Sequence, residues 1–118
     1  MAIKNALASV AVKNISSATK WYEKLLGRSP DSKPMQGVCE WEFEGGGWLQ
    51  VYEGEERAGS SSVTLAVDNM SEQISALKKL NLNPGTPSIT EKVKTLMIKD
   101  LDGNSIAFAE AIDPTMAK

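Results

Sequence analysis

Residues 7–12, Leu-Ala-Ser-Val-Ala-Val, are apolar except for Ser9 and sort by alternate positions into two faces. Ala8, Val10 and Val12 fall on one face and Leu7, Ser9 and Ala11 on the other, the period of two expected of a strand. The period then lengthens. Ile15, Ala18, Trp21, Tyr22, Leu25 and Leu26 recur at three- and four-residue spacing, after Asn14, which suits an N-cap, and before Gly27, which suits the C′ position. The pattern predicts a strand, a tight link and an amphipathic helix. A Pro/Asp/Ser-rich connection occupies residues 29–34. An alternating run through Trp41 and Phe43, the Gly45-Gly46-Gly47 turn and a second run from Trp48 to Glu53 then read as a hairpin. Gly54 to Ser61 has no apolar period and carries glycine, serine and charge, which makes it a linker.

Beyond the linker the order begins again. At an offset of 55, Ala11, Val12, Asn14, Ser16, Lys24 and Leu25 meet Ala66, Val67, Asn69, Ser71, Lys79 and Leu80. At an offset of 57, Gly46 meets Gly103, Leu49 meets Ile106, Val51 meets Phe108 and Glu53 meets Glu110. The second helix begins at Asn69 with Glu72 three residues on, a capping-box-like pair, and its stripe is Met70, Ile74, Leu77 and Leu80. Element order, caps and turns agree, so the chain reads as a duplication. The expected architecture is α+β: two tandem β-α-β-β-β modules, their curved mixed sheets arranged around a cleft. One domain over residues 1–118 is built of repeats at about 5–53 and 61–111, joined by linker 54–60. A half of this size, with one helix over a short sheet, has too little core to stand alone.

Parity assigns the faces. Ala8/Val10/Val12, Leu49/Val51, Val63/Leu65/Val67 and Ile106/Phe108 belong under the helices. The opposite face carries Leu7, Ser9 and Ala11, then Trp48, Gln50 and Tyr52, and in the second repeat Ser62, Thr64, Ala66, Ser105, Ala107 and Ala109. The first hairpin admits two registers, pairing Phe43 with Trp48 or with Leu49. Offset 57 sets Trp41 against Ile98 and Glu40 against Met97. That favours Trp41 and Phe43 in the core, with Glu40, Glu42, Met97 and Lys99 on the second face. Cys39 shares the parity of Trp41 and reads as a small buried hydrophobe.

Composition narrows the chemistry. The 118 residues contain no histidine, which removes the commonest general base and metal ligand and the usual partner of a Ser or Cys nucleophile. One cysteine forms no internal bridge, and a net charge of −2 lacks the basic footprint of a nucleic-acid binder. No apolar run reaches membrane-spanning length and the N-terminus lacks a signal-peptide pattern, so a cytoplasmic protein with neither membrane nor nucleic-acid partner is expected. Asp100, Asp102 and Asn104 suggest a calcium loop only superficially, because no bidentate acid follows at the required distance. They fit a hairpin turn. The Gly45–Gly47 run joins strands and opens no helix, so it is not a phosphate cradle.

The run Val10-x-Val12-x-Asn14-Ile15, then Trp21-Tyr22-x-x-Leu25-Leu26-Gly27, and Asp100-Leu101-Asp102-Gly103-Asn104 before the last strand, resembles the vicinal oxygen chelate superfamily of glyoxalases, extradiol dioxygenases and bleomycin-resistance proteins. The resemblance covers nearly the whole chain. The family usually has aspartate where Asn14 stands, phenylalanine-tyrosine where Trp21-Tyr22 stands and proline where Leu101 stands. It implies paired β-α-β-β-β modules and, in its enzymes, a divalent metal held from four strand positions, here Leu7, Gln50, Ser62 and Ala107. Only Gln50 matches the family's ligand types, so the resemblance points to the metal-free, bleomycin-resistance-like branch, with no cofactor and a homodimeric assembly.

These readings predict a non-catalytic binder of a neutral-to-cationic, partly aromatic small molecule, an antibiotic being one candidate. Leu7, Ser9, Glu40, Glu42, Trp48, Gln50, Tyr52, Ser62, Thr64, Met97, Lys99 and Ala107 are the expected ligand-binding residues. Trp48, Tyr52 and Met97 would enclose the ligand and Glu40 or Glu42 would supply counter-charge. Glu40, Glu42, Glu44, Glu53, Glu55 and Glu56 crowd a stretch without lysine or arginine, a field that draws in cations. Two alternatives stand beside this one: a metal-independent lyase or isomerase using Glu42 or Glu40, its pKa raised by burial, with Lys99 as electrostatic partner, and an interaction module whose cleft is filled.

Overall fold

The computed structural model of the chain describes residues 2–82 and 84–112. In order, the elements are β1 (Leu7–Val12), α1 (Ile15–Leu26), β2 (Ser32–Met35), β3 (Val38–Glu42), β4 (Trp48–Glu53), β5 (Ser62–Ala66), α2 (Met70–Lys79), β6 (Ser88–Ile89), β7 (Val93–Lys99) and β8 (Ser105–Ala111). They form two four-stranded mixed sheets, ordered β1-β4-β3-β2 and β5-β8-β7-β6. In each, the first strand runs parallel to the last and the remaining pairs are antiparallel. This is the α+β fold of tandem β-α-β-β-β modules. Among the described residues no helix is long and apolar enough to cross a membrane.

The sheets agree residue by residue with the repeat offsets. Leu7 pairs with Trp48 in the first sheet and Ser62 with Ser105 in the second. Likewise Glu42 pairs with Trp48 and Lys99 with Ser105. Both helices start at an asparagine cap: the Asn14 side chain accepts from Ser17 N and the Asn69 side chain from Glu72 N. α1 ends on Gly27 in the left-handed region, φ 76°, which glycine enters without a Cβ penalty.

Two compact units emerge along the chain. The first comprises residues up to Ser61 together with Leu101–Asn104; the second comprises Ser62–Asp100 and the chain from Ser105 on. The first core is Val10, Val12, Cys39, Trp41, Leu49 and Val51 beneath Ala18 and Tyr22 of α1. Tyr22 packs on Trp21 edge-on at 4.8 Å and on Trp41 at 6.1 Å, and the Trp41 indole N–H donates to Arg28 O at 3.1 Å. A buried ring of this size is worth several kcal/mol when its polar atom is partnered. The second core is Val63, Leu96, Ile98, Ile106 and Phe108 with Met70 and Leu77 of α2. Ala8, Leu65 and Val67 share the helix-side parity but are only half-buried.

The structure corrects the sequence reading in three places. Residues 32–35 are not connection but an edge strand, β2, where Pro34 is tolerated because an edge leaves one row of N–H groups unpaired by the sheet. Phe43 pairs with neither Trp48 nor Leu49. Its N–H donates to Gly47 O and its carbonyl accepts from Gly46 N, both at 2.8 Å, closing the turn one step earlier around Gly46 at φ 100°. Third, Ala11 and Ala109 have the parity of the open face yet are buried, Ala11 completely. β1 is an edge strand, and its outward Ala11 N–H and carbonyl are met by the Ser61 hydroxyl at 3.1 Å and the Asn104 side-chain amide at 2.8 Å. Segment 54–61 therefore folds back over this end of its own sheet.

Candidate functional site: the open face of the first sheet

The register of β1, β4 and β3 lays the first sheet's predicted residues out as a grid. Leu7, Trp48 and Glu42 form one row across the strands, and Ser9, Gln50 and Glu40 the next; Ala11, Tyr52 and Val38 form the third. The middle row is hydrogen-bonded. Ser9 Oγ donates to Gln50 Oε1 at 3.1 Å and Gln50 Nε2 donates to Glu40 Oε2 at 2.9 Å, which fixes the amide's orientation. Trp48 and Tyr52 stand half-exposed on either side, roughly 13 Å apart along the strand at about 3.3 Å per residue. Leu7, at 45% exposure, adds apolar surface beside Trp48.

Glu42 is exposed at the end of β3, not buried as the lyase or isomerase alternative expects of its glutamate. Its backbone is what the fold grips. Arg28 donates to the Glu42 carbonyl and to Asp31 Oδ2, while the Asp31 carboxylate accepts from Glu42 N at 2.7 Å. The Arg28 hydrogen bond, helped by the Glu42 N–H and the guanidinium charge, holds the Asp31 carboxyl below its usual range. The outcome is an exposed carboxylate next to Trp48 on a pinned strand end.

Glu53 leaves the acidic field that the sequence suggested. Its Oε1 accepts from Ile15 N at 3.1 Å at the start of α1, just as Glu110 Oε1 accepts from Met70 N at 2.5 Å at the start of α2. The paired glutamates at offset 57 and paired asparagines at offset 55 are one device used twice, and the two offsets read together signal it. Glu55 and Glu56, with Tyr52, Gly54 and Arg57, line an open cavity of about 470 Å³. A Cβ on Gly54 would lie 2.8 Å from the Tyr52 ring, so glycine lets the ring lie flat against this loop.

In the second sheet, Ser62, Thr64, Ala107, Met97 and Lys99 also share one face. Ser62, Ser105 and Lys99 form one row and Thr64, Ala107 and Met97 the next. Lys99 Nζ donates to Ser105 Oγ at 2.7 Å, and Met97 is 52% exposed. The expected set is thus divided seven and five, each part contiguous on its own sheet.

Two further features leave no local mark in the sequence. A groove of about 630 Å³ lies between α1 and the β2–β3 hairpin, invisible while β2 was read as connection. Cys39 lies on its floor, fully buried as expected, with its sulfur 3.5 Å from Thr19 Oγ1. Burial pushes the thiol up, partly offset by the Thr19 hydrogen bond and the Lys33 charge. The second feature is Asn104. Far from being a calcium ligand, its Oδ1 accepts from Gly59 N and Ser61 N, both at 2.9 Å, while its Nδ2 holds Ala11 O. Asp102 Oδ2 accepts from Lys13 N at 3.2 Å in the same turn.

No family model matches the sequence, and no curated protein matches it significantly. Solved structures do. A glyoxalase / bleomycin resistance protein from Catenulispora acidiphila DSM 44928 is 31% identical, with a TM-score of 0.80 over 90% of this chain and 96% of that one. The chain belongs to the glyoxalase/bleomycin resistance family. The fold is shared at lower identity with TnmS3, an antibiotic binding protein from Streptomyces sp. CB03234, at 22% identity and a TM-score of 0.81 over 94% of this chain and 98% of that one. A glyoxalase/bleomycin resistance protein from the same Streptomyces is also 22% identical, with a TM-score of 0.76 over 89% and 98% of the two chains.

The family's four metal-ligand positions can be tested on their donors. Leu7 and Ala107 are hydrocarbon, and Gln50 Oε1 already accepts from Ser9. One amide oxygen and the Ser62 hydroxyl fall short of the three or more N, O or S donors that hold a divalent ion against water. The residues present do not fit a metal. Among the described residues no group of three or more His, Cys, Asp or Glu side chains could hold one either.

Proposed function

We propose that this member of the glyoxalase/bleomycin resistance family is a metal-free, non-catalytic binding protein that sequesters a neutral-to-cationic, partly aromatic small molecule. The observation that carries the reading is the grid on the first sheet. Two half-exposed aromatic rings flank an oriented Ser9–Gln50–Glu40 row, with the exposed Glu42 carboxylate adjoining Trp48. Ring faces attract cations and flat apolar bodies, the carboxylates supply counter-charge, and the fixed amide sets orientation. Ser62, Thr64, Met97, Lys99 and Ala107 form a second proposed set of ligand-binding residues, contiguous on the second sheet. Likeness to an antibiotic binding protein supports this reading and makes antibiotics the first ligands to try. A homodimer in the cytoplasm is part of the same proposal.

The test is titration of tryptophan fluorescence with phenyltrimethylammonium and larger basic aromatic compounds, in the parent and in Trp48→Phe. A saturable response that Trp48→Phe abolishes supports the reading. Silence at millimolar concentrations, or a response unchanged in Trp48→Phe, sinks it.

A further inference from the structure

α1 covers the inner strands of the first sheet and leaves the edge strand β2 only partly roofed. The helix therefore presents Ile15, Thr19, Lys20 and Glu23 to the β2–β3 hairpin along one flank, positions spaced to share a face. The opposite wall carries Lys33 and Met35, and Cys39 lies on the floor. The groove is open to solvent, and its volume of about 630 Å³ is in the range of small-molecule sites.

The lining has two chemical parts. Ile15, Met35 and Cys39 are apolar, and Met35 stands 67% exposed at the rim, an apolar chain in water beside a recess it could help close over a guest. Thr19 contributes little polarity, since its hydroxyl is already bonded to Ile15 O at 2.6 Å. Burial keeps the Cys39 thiol protonated, so the floor stays neutral. Lys20 and Lys33 rise from the two walls, and among the described residues neither is in an ion pair. Against their two ammonium groups stands one carboxylate, Glu23.

We propose that this groove binds a small amphipathic carboxylate, with its apolar body along Ile15, Met35 and Cys39 and its carboxylate between Lys20 and Lys33. The site lies on the helix side of the sheet, away from the Trp48–Gln50–Glu40 face, and takes a ligand of the opposite charge. It is therefore independent of the function proposed above. An aliphatic cation meets two like charges there and is rejected.

Decanoate is the probe, titrated calorimetrically into the full chain and followed by backbone amide shifts, with decylammonium as the charge control. Saturable decanoate binding is expected, with shifts centred on Thr19, Lys33 and Cys39 and little response to decylammonium. K20Q/K33Q should weaken decanoate by at least about tenfold, the scale of losing two charge-assisted contacts. Both lysines are solvent-facing, and an unchanged unfolding midpoint certifies the variant's fold; single K20Q and K33Q variants, each expected to lose part of the affinity, serve if it does not. Trp48→Ala should leave decanoate binding intact, which separates this site's failure from that of the open face. Absence of saturable binding, equal affinity in K20Q/K33Q, or shifts centred on Trp48 and Gln50 would each overturn the proposal.

Discussion

The two sheets have the same strand order and register but opposite surface character. The first exposes indole, phenol, amide and carboxylate; the second exposes hydroxyls, methyls, a thioether and the Lys99 ammonium. Where Trp48, Gln50 and Tyr52 stand on β4, Ser105, Ala107 and Ala109 stand on β8. The core parity has been kept in both, because a slip of one residue would expose every buried side chain. The open parity has diverged freely. Recognition chemistry in this fold is thus written on positions that folding does not constrain, and the first sheet carries most of it.

The edges differ as well. The Asp102-Gly103-Asn104 turn seals the β1 edge, whereas its repeat counterpart is the bare Gly45-Gly46-Gly47 turn, and Ala66, the counterpart of buried Ala11, is exposed. Asn104→Ala should therefore cost about 2–3 kcal/mol in denaturant unfolding, since it strands two N–H groups and a carbonyl at once. Gly47→Asn, which has nothing comparable to hold, should gain nothing. Equal effects would mean that the asymmetry is only apparent.

The open faces come next in size. Trp48→Ala should weaken a basic aromatic ligand by about tenfold, or about 1.4 kcal/mol, while Met97→Ala on the second sheet should cost no more than about threefold, both read by competition titration. The helix starts, in contrast, should respond alike. Asn14→Ala and Asn69→Ala should each lose about 1 kcal/mol of stability, because the same cap and the same strand-end glutamate serve both helices.

The smallest effect concerns the exposed Arg28–Asp31 clamp at the end of β3 in the first sheet. Because the folded-state Asp31 pKa lies below its unfolded value, its contribution is complete above the ordinary aspartate range near pH 4 and fades as pH falls through the lowered value. Asp31→Asn should change the acid limb of the stability profile slightly. Salt should erase the difference, since the pair is exposed.

Most of the fold was legible because it rests on periodicity and caps. The strands β1, β3, β4, β5, β7 and β8, both helices, the Asn14 and Asn69 caps and the Trp41 parity follow from local patterns that tertiary packing reinforces. β2 escaped because an edge strand of four residues containing proline buries no stripe. The face of Trp48, Gln50 and Glu40 was readable from alternation alone, whereas the hydrogen bonds along its middle row required cross-strand register. The groove beside α1 was unreadable, since a recess arises from what a helix fails to cover and leaves no mark on its own sequence. Asn104 was recognised only as part of a turn, because its partners lie more than forty residues away.

That separation matters for how the chain is made. Gly59 and Ser61 leave the ribosome long before the amide that will hold them, so during synthesis their N–H groups and the Ala11 carbonyl have only water in its place. A gene fragment cut after residue 61 would encode a sheet with an open seam, prone to pairing with its neighbours. The first compact unit is therefore finished by a four-residue segment, Leu101–Asn104, that the chain supplies only after strand β7 of the second unit.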